Sequence, residues 1–366
     1  MYKSIWSKKR IRTTWTLATM GRESIVEGKI LVETGFQQGY LRYSENEIIE
    51  YGKGKSPKPP THQGIITPLF SNCHTHIGDS FLWSKHATFP HSIKALVAPP
   101  HGIKHQALEQ ATDKEILQGM ITSLKYMAIH GTTMFWDFRE GGYKGAQLLH
   151  KAAARFPSLH PIIFARPSTL TYDKQELNQL LHIADGIGLS SINEWNQDDL
   201  LSIAEQTHQQ QKVFALHASE QHREDINRII ELQPDLLIHM TQGTQKDFQR
   251  LYQHNIPVVL CPHSNTFFHL TPPFTLMKKA HLRILLGTDN AMIQQPNVLD
   301  EVRMLHKKKV STLEELLMMI TFTPRKVLNS EACIHFPTST SPFVILEPES
   351  LQPKQIITFE QDGQKK

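Results

Sequence analysis

A chain of 366 residues is long enough for one large domain and a small accessory one. Apolar side chains at 39% and charged ones at 20% support a buried core, and a formal net charge of +4 is too small to imply nucleic-acid or membrane binding. Cys73, Cys261 and Cys333 form no CxxC pair, so neither a disulfide framework nor a thiolate zinc site is expected.

The basic segment Met1–Arg12 is followed by no apolar stretch of the kind a signal peptide carries. No run approaches the roughly 18 apolar residues of a spanning helix. Cytoplasm is therefore the expected location, with a small-molecule substrate and no nucleic acid or membrane as partner; a homo-oligomer is left open.

Along residues 1–55, "KILVETGF" and "GYLRYSENEIIEYG" mix β-branched and aromatic residues with turn formers and read as short strands. The polar, Pro-rich stretch 52–64 reads as a linker. From about residue 65, eight short apolar runs follow: "IITPLFSN", "TTMFWDF", "PIIFA", "GIGLSS", "KVFALH", "DLLIHM", "IPVVLC" and "RILLGTD". Helical segments with apolar residues at three-to-four spacing lie between them, such as "YKGAQLLHKAAARF" and "DDLLSIAEQTHQQQ". Near-continuous apolar strands alternating with helices indicate a parallel sheet covered on both faces. Eight such units fit an α/β fold of the (β/α)8 TIM-like barrel type, with a doubly wound open sheet as the competing arrangement. "STLEELLMMITFTPRKVLN" (311–329) reads as one more helix, broken near Pro324, and residues 341–359 return to strand-like alternation. The expected organisation is a barrel over 61–329 and a small β-sandwich domain built from both termini, residues 1–60 and 330–366.

His74 and His76 form an HxH at the end of the first barrel strand, where positions i and i+2 share a face. Alone, the pair is equally compatible with two polar residues at a strand end. His217 ends the fifth strand, His239 lies near the end of the sixth, and Asp289 ends the eighth. In a barrel all C-terminal strand ends open on one face, which holds the active site. Three histidines and one carboxylate suit one divalent ion, Zn²⁺ first, with Fe²⁺ or Mn²⁺ also accommodated. Such an ion lowers the pKa of a bound water so that hydroxide exists at neutral pH. Glu220, three residues beyond His217, suits proton transfer beside the ion; its plain alternative is a first-turn carboxylate at a helix N-terminus.

With "SNCHTHIGDS" (71–80), "LHASE" (216–220), "LLIHM" (236–240), "LCPHSN" (260–265) and "LGTDN" (286–290), the chain resembles the amidohydrolase superfamily, in its cytosine deaminase-like and chlorohydrolase-like branch. The resemblance covers nearly the whole chain. It implies metal ligands His74, His76, His217 and Asp289, and catalytic roles for Glu220, His239 and Asp289. Asp289 would also accept a proton from the hydrolytic water, His239 would contact that water or the substrate, and Glu220 would shuttle protons. Members with two metals use a carboxylated lysine on the fourth strand. The stretch "DGIGLSSINEW" has none, so one metal is expected.

Candidate substrate contacts are Trp83, His101, Lys104 and His105 in the long segment 77–110, and His263, Ser264 and Asn265 past the seventh strand. Arg139 and Arg166 leave the second and third strands. They either hold an acid group of the substrate or pair internally, Arg139 with Asp137 or Glu140. The reading that follows is hydrolytic deamination of a purine-, pyrimidine- or pterin-like heterocycle by metal-bound hydroxide. Ring opening of a cyclic amide and dechlorination share the nucleophile and stay open. A non-enzymatic metal-binding scaffold would be expected to have lost ligands, and none is missing.

Overall fold

The computed structural model describes residues 23–85, 88–328 and 335–359. Met1–Arg12 and Cys333, remarked on above, lie outside them. The described residues form two compact units, one of residues 23–69 with 335–359 and one of residues 70–328.

The strands in chain order begin with β1 (Ser24–Val32), β2 (Gly35–Tyr43), β3 (Ile48–Lys53) and β4 (His62–Pro68). Next come β5 (Phe70–His76), β6 (Thr132–Arg139), β7 (His160–Ala165), β8 (Gly186–Leu189) and β9 (Val213–Ala218). The remaining strands are β10 (Leu236–His239), β11 (Val258–Leu260), β12 (Ile284–Leu286), β13 (Asp289–Asn290), β14 (Phe343–Leu346) and β15 (Pro353–Ile357).

The first unit is a mixed sheet in the order β15-β14-β4-β1-β2-β3, so both ends of the chain supply strands to it. β1 and β2 form a hairpin closed at Val32↔Gly35, and β4 runs parallel to β1 and antiparallel to β14. Two expectations are corrected here. The described residues of this unit form a single sheet rather than the two facing sheets of a sandwich. The run "IITPLFSN", read as one barrel strand, is also split. Ile65–Pro68 belongs to β4 of this sheet, and Phe70 begins the first barrel strand. An unbroken apolar run hides the boundary, because burial on both sides of Leu69 demands the same residue types.

In the second unit the parallel pairings run from β5 through β6, β7, β8, β9, β10 and β11 to β12. β13 continues β12 after two residues and pairs in parallel with β5. The last strand thus touches both edges, which is how a TIM-like barrel closes. Strand side chains fill the interior: Cys73, Met134, Trp136, Phe138, Phe164, Ala215, Ile238, Val259 and Leu285 pack as one core cluster. Met134, Trp136 and Phe138 show the two-residue period of an inward face. The flanking helices carry matching signals. Thr112 and Glu115 form a reciprocal capping box on Asp113–Ile129, whose Met120, Leu124 and Met127 are buried.

Two helices, Leu313–Met318 and Phe322–Val327, replace the single helix expected over 311–329. The break precedes Pro324, which sits in the first turn of the second helix, where a missing N–H costs no hydrogen bond.

Candidate metal centre and active site

The C-terminal ends of β5, β9, β10 and β13 carry His74, His76, His217, His239 and Asp289. β5 holds one extra residue between Asn72 and Thr75 opposite Phe135–Asp137 of β6. Such a bulge re-aims side chains, and it falls beside His74. His74 is fully buried, edge-on to the Phe138 ring at 4.4 Å. The eighth strand is interrupted at Gly287 and Thr288. A Cβ on Gly287 would lie 2.6 Å from the His74 backbone nitrogen, so only glycine lets the two segments approach so closely. Asn72 pins Thr288 from both sides, its Nδ2 donating to Thr288 Oγ1 at 2.8 Å and its Oδ1 accepting from Thr288 N at 3.1 Å. Asp289 and His239 both have left-handed backbone, φ 62° and 72°. Non-glycine residues hold that conformation only where surrounding structure enforces it, commonly at functional sites.

The donor atoms converge. His217 Nε2 lies 3.2 Å from His74 Nε2, and Asp289 Oδ1 lies 3.3 Å from His74 Nε2 and 3.5 Å from His76 Nε2. A tetrahedral ion with metal–nitrogen bonds of about 2.0–2.1 Å separates its ligand atoms by roughly 3.3–3.4 Å. The neighbours of each ring also set its tautomer. His217 Nδ1 lies 2.7 Å from the Leu189 carbonyl and donates to it, which leaves Nε2 as a lone pair. His76 Nδ1 lies 2.8 Å from Glu140 Oε1 as an ion-pair contact, and its Nε2 is the nitrogen turned toward Asp289. Burial lowers the pKa of His76 to about 3 and holds that of His217 well below its usual value, so both rings are neutral near pH 7, as a ligand must be. Burial pushes Asp289 upward, but the hydrogen bond and charge of His74 outweigh it, and the carboxyl stays ionised. Lone pairs and a carboxylate packed this closely fit a divalent ion. The residue groups able to hold one among the described residues all share this cluster, through His74, His239 and Asp289.

Glu220 Oε1 is buried with no hydrogen-bond partner among the described residues, 3.5 Å from His239 Nε2. Burial, then the charge of Asp289, raises its pKa well above the usual carboxylate range. Burial lowers His239 to about 4, and its Nδ1 faces the Asn265 amide at 3.3 Å. The Ser264 hydroxyl donates to Asp289 Oδ2 at 2.5 Å. A cavity of about 420 Å³ opens over these groups, lined by His76, His217, Glu220, His239 and Asp289. A larger hollow of about 740 Å³ lies among residues that precede β10, β11 and β12, such as Asp235, Pro257 and Arg283, at the opposite strand ends.

The candidate substrate contacts divide. Arg166 lines the cavity, and Asn265 sits behind His239. Arg139 does not line it. Its guanidinium is 1% exposed, paired with Asp137 at 3.1 Å and Glu140 at 2.5 Å, and packed against Gly78, so it is an internal ion pair and not a substrate contact. Trp83 and His101 are exposed and do not line the cavity. His105 Nε2 bonds the Val97 carbonyl at 3.0 Å, and His263 pairs with Glu301 at 3.1 Å; each is used up locally. Lys104 is buried at the cavity wall, reaching Glu140 at 2.6 Å and Asn290 at 3.1 Å. Glu140 and Glu194 were missed as site residues. The only sequence signal was their place just past a strand end.

Among the described residues no helix is long and apolar enough to cross a membrane. A model of the amidohydrolase family matches residues 65–332. An uncharacterized protein of Methanocaldococcus jannaschii is 31% identical over 325 residues, covering 83% of this chain and 81% of that one. Among solved structures, a zinc-bound adenosine deaminase from Xanthomonas campestris superposes with a TM-score of 0.66 at 14% identity, over 93% of this chain and 94% of that one. Atrazine chlorohydrolase from Arthrobacter aurescens, complexed with zinc, gives 0.64 at 12% identity, over 88% and 87%. With the family matched over most of its length and the donor cluster at the barrel mouth, the chain belongs to the amidohydrolase family.

Proposed function

We propose that this amidohydrolase is a hydrolytic deaminase of a nitrogen heterocycle, with one zinc ion held by His74, His76, His217 and Asp289. The observation that supports the reading is the placement of Glu220, whose Oε1 is buried with no hydrogen-bond partner among the described residues, 3.5 Å from His239 Nε2 and on the lining of the cavity over the donor cluster. Zinc is favoured by the nitrogen-rich donor set and its spacing. When bound, the ion activates the attacking water at neutral pH.

The chain's own groups then divide the proton work. Asp289 takes a proton from the water as its oxygen bonds to the amidine-type carbon. Glu220 delivers its proton to the adjacent ring nitrogen. The proton on Asp289 passes to the departing amino group, which leaves as ammonia. The remaining hydroxyl proton restores Glu220 as the carbonyl forms. Asn265 fixes the ring of His239, so that Nε2 faces the place where this exchange occurs.

The test is an ammonia-release screen of zinc-loaded protein over amino-substituted purines, pyrimidines and pterins. Turnover of at least one frame, lost in Glu220→Gln, is expected. Tight zinc binding with no ammonia from any of them overturns the deaminase reading.

A further inference from the structure

Two side chains on the wall of the same cavity keep hydrogen-bonding capacity that the protein does not use. Arg166 follows β7, is 8% exposed and lines the cavity. Its ion-pair partner, Glu140 Oε1, is 3.6 Å away, beyond a hydrogen bond. That oxygen is already occupied by Lys104 Nζ at 2.6 Å and His76 Nδ1 at 2.8 Å, while Oε2 takes Arg139 at 2.5 Å. Glu140 is engaged by these three groups, and Arg166, at 3.6 Å, makes no hydrogen bond to it and lines the cavity. Glu194 lies in the turn Ile192–Glu194 after β8 and lines the same cavity. The Ser190 hydroxyl donates to it, but Oε2 is buried with no partner among the described residues. Glu194 acts on Arg166 through its charge without closing an ion pair with it.

A donor fork and a buried, unpartnered acceptor oxygen on the wall of one cavity are both satisfied only when a ligand meets them. Charge narrows what that ligand is. Lys104 and Arg139 are matched by Glu140 and Asp137, and Arg166 shares the cavity wall with Glu194, whose charge acts on it. A carboxylate or phosphate arriving at Arg166 would meet Glu194 as a like charge. A neutral edge with an acceptor next to a donor would satisfy both side chains.

We propose that Arg166 and Glu194 form one recognition subsite for an uncharged donor–acceptor edge of the substrate. That edge is either the lactam N–H and C=O of the heterocycle or adjacent hydroxyls of a sugar substituent. The assignment rests on the deaminase reading for its heterocycle, and it replaces the acid group expected from the two arginines.

The test uses zinc-loaded protein and ligands that lack a leaving amine, so binding is read apart from turnover. On purine and on pyrimidine frames, the parent heterocycle is compared with its lactam, its riboside and its riboside 5′-phosphate, by thermal shift and equilibrium titration. The lactam or the riboside should bind at least about tenfold tighter than the parent, which tells the two sources apart, and the phosphate should add nothing. Arg166→Met and Glu194→Gln should each remove that preference with zinc content unchanged. The double variant should lose no more than the worse single one, because both act on one group. No lactam or riboside preference on either frame overturns the proposal. So does tightest binding of the phosphate, removed by Arg166→Met and untouched by Glu194→Gln. If the preference holds but no frame releases ammonia, the deaminase reading fails alone.

Discussion

Two charged clusters sit side by side at the strand ends, and they are built on opposite principles. In one, Asp137, Arg139, Glu140 and Lys104 close on one another at 2.5–3.1 Å, and Arg139 has almost no exposure. In the other, His74, His76, His217 and Asp289 bring donor atoms within 3.2–3.5 Å, and Glu220 adds a buried carboxyl oxygen with no hydrogen-bond partner among the described residues. Both are rich in titratable groups, and both lie next to barrel strands. What separates them is unmet bonding capacity. The first cluster is a scaffold that holds His76 through Glu140, and the second is arranged for something the chain does not itself contain.

The comparison breaks most readily at the metal. Purified protein should carry about one equivalent of divalent ion, and His217→Ala should lose nearly all of it, read by elemental analysis after dialysis. Retention of a full equivalent, or two bridged ions in the native protein, would refute the single-ion assignment. Glu220→Gln should keep the metal while turnover falls by roughly 10² or more, the scale of a lost general acid–base; metal loss in that variant would move Glu220 into the ligand set. In the closed cluster the sign is reversed. Arg139→Met should cost stability, about 3–5 kcal/mol by denaturant titration, because Asp137 and Glu140 keep buried charge without a partner. The folded fraction should keep its KM. A variant of unchanged stability and raised KM would put Arg139 back in contact with substrate. The smallest effect belongs to Trp83→Ala, which should leave kcat/KM within about twofold and stability within about 0.5 kcal/mol, since Trp83 is 37% exposed and does not line the cavity.

The same contrast explains what the sequence made legible. Strand positions and the convergence of His74, His76, His217, His239 and Asp289 follow from alternation and from the rule that barrel strand ends share one face. Pairing among neighbours does not follow from them. Arg139 and Arg166 occupy equivalent places after adjacent strands, yet one is consumed by Glu140 and the other is not. Lys104 arrives from the helix Ile103–Gln110 and takes Glu140 Oε1 at 2.6 Å, the oxygen nearest Arg166. Loop geometry of that kind has no periodicity to read. Leu69 was hidden for a different reason: buried strands on both sides erase the composition change that marks a boundary.

The interrupted eighth strand also sets a timetable. Asn72 and Thr288 are 216 positions apart in the chain, and their side chains grip each other only when the last strand has docked on the first. His74 and His76 leave the ribosome long before Asp289 does, and chains assemble their early segments first. A pair of imidazoles waiting alone is a weak, unselective trap for any passing transition metal. The tight site comes into being in the same event that seals the cylinder, because one short segment supplies both the final rung and the only carboxylate of the proposed ligand set. Capture of the proposed ion would therefore mark the closing of the barrel rather than nucleate it.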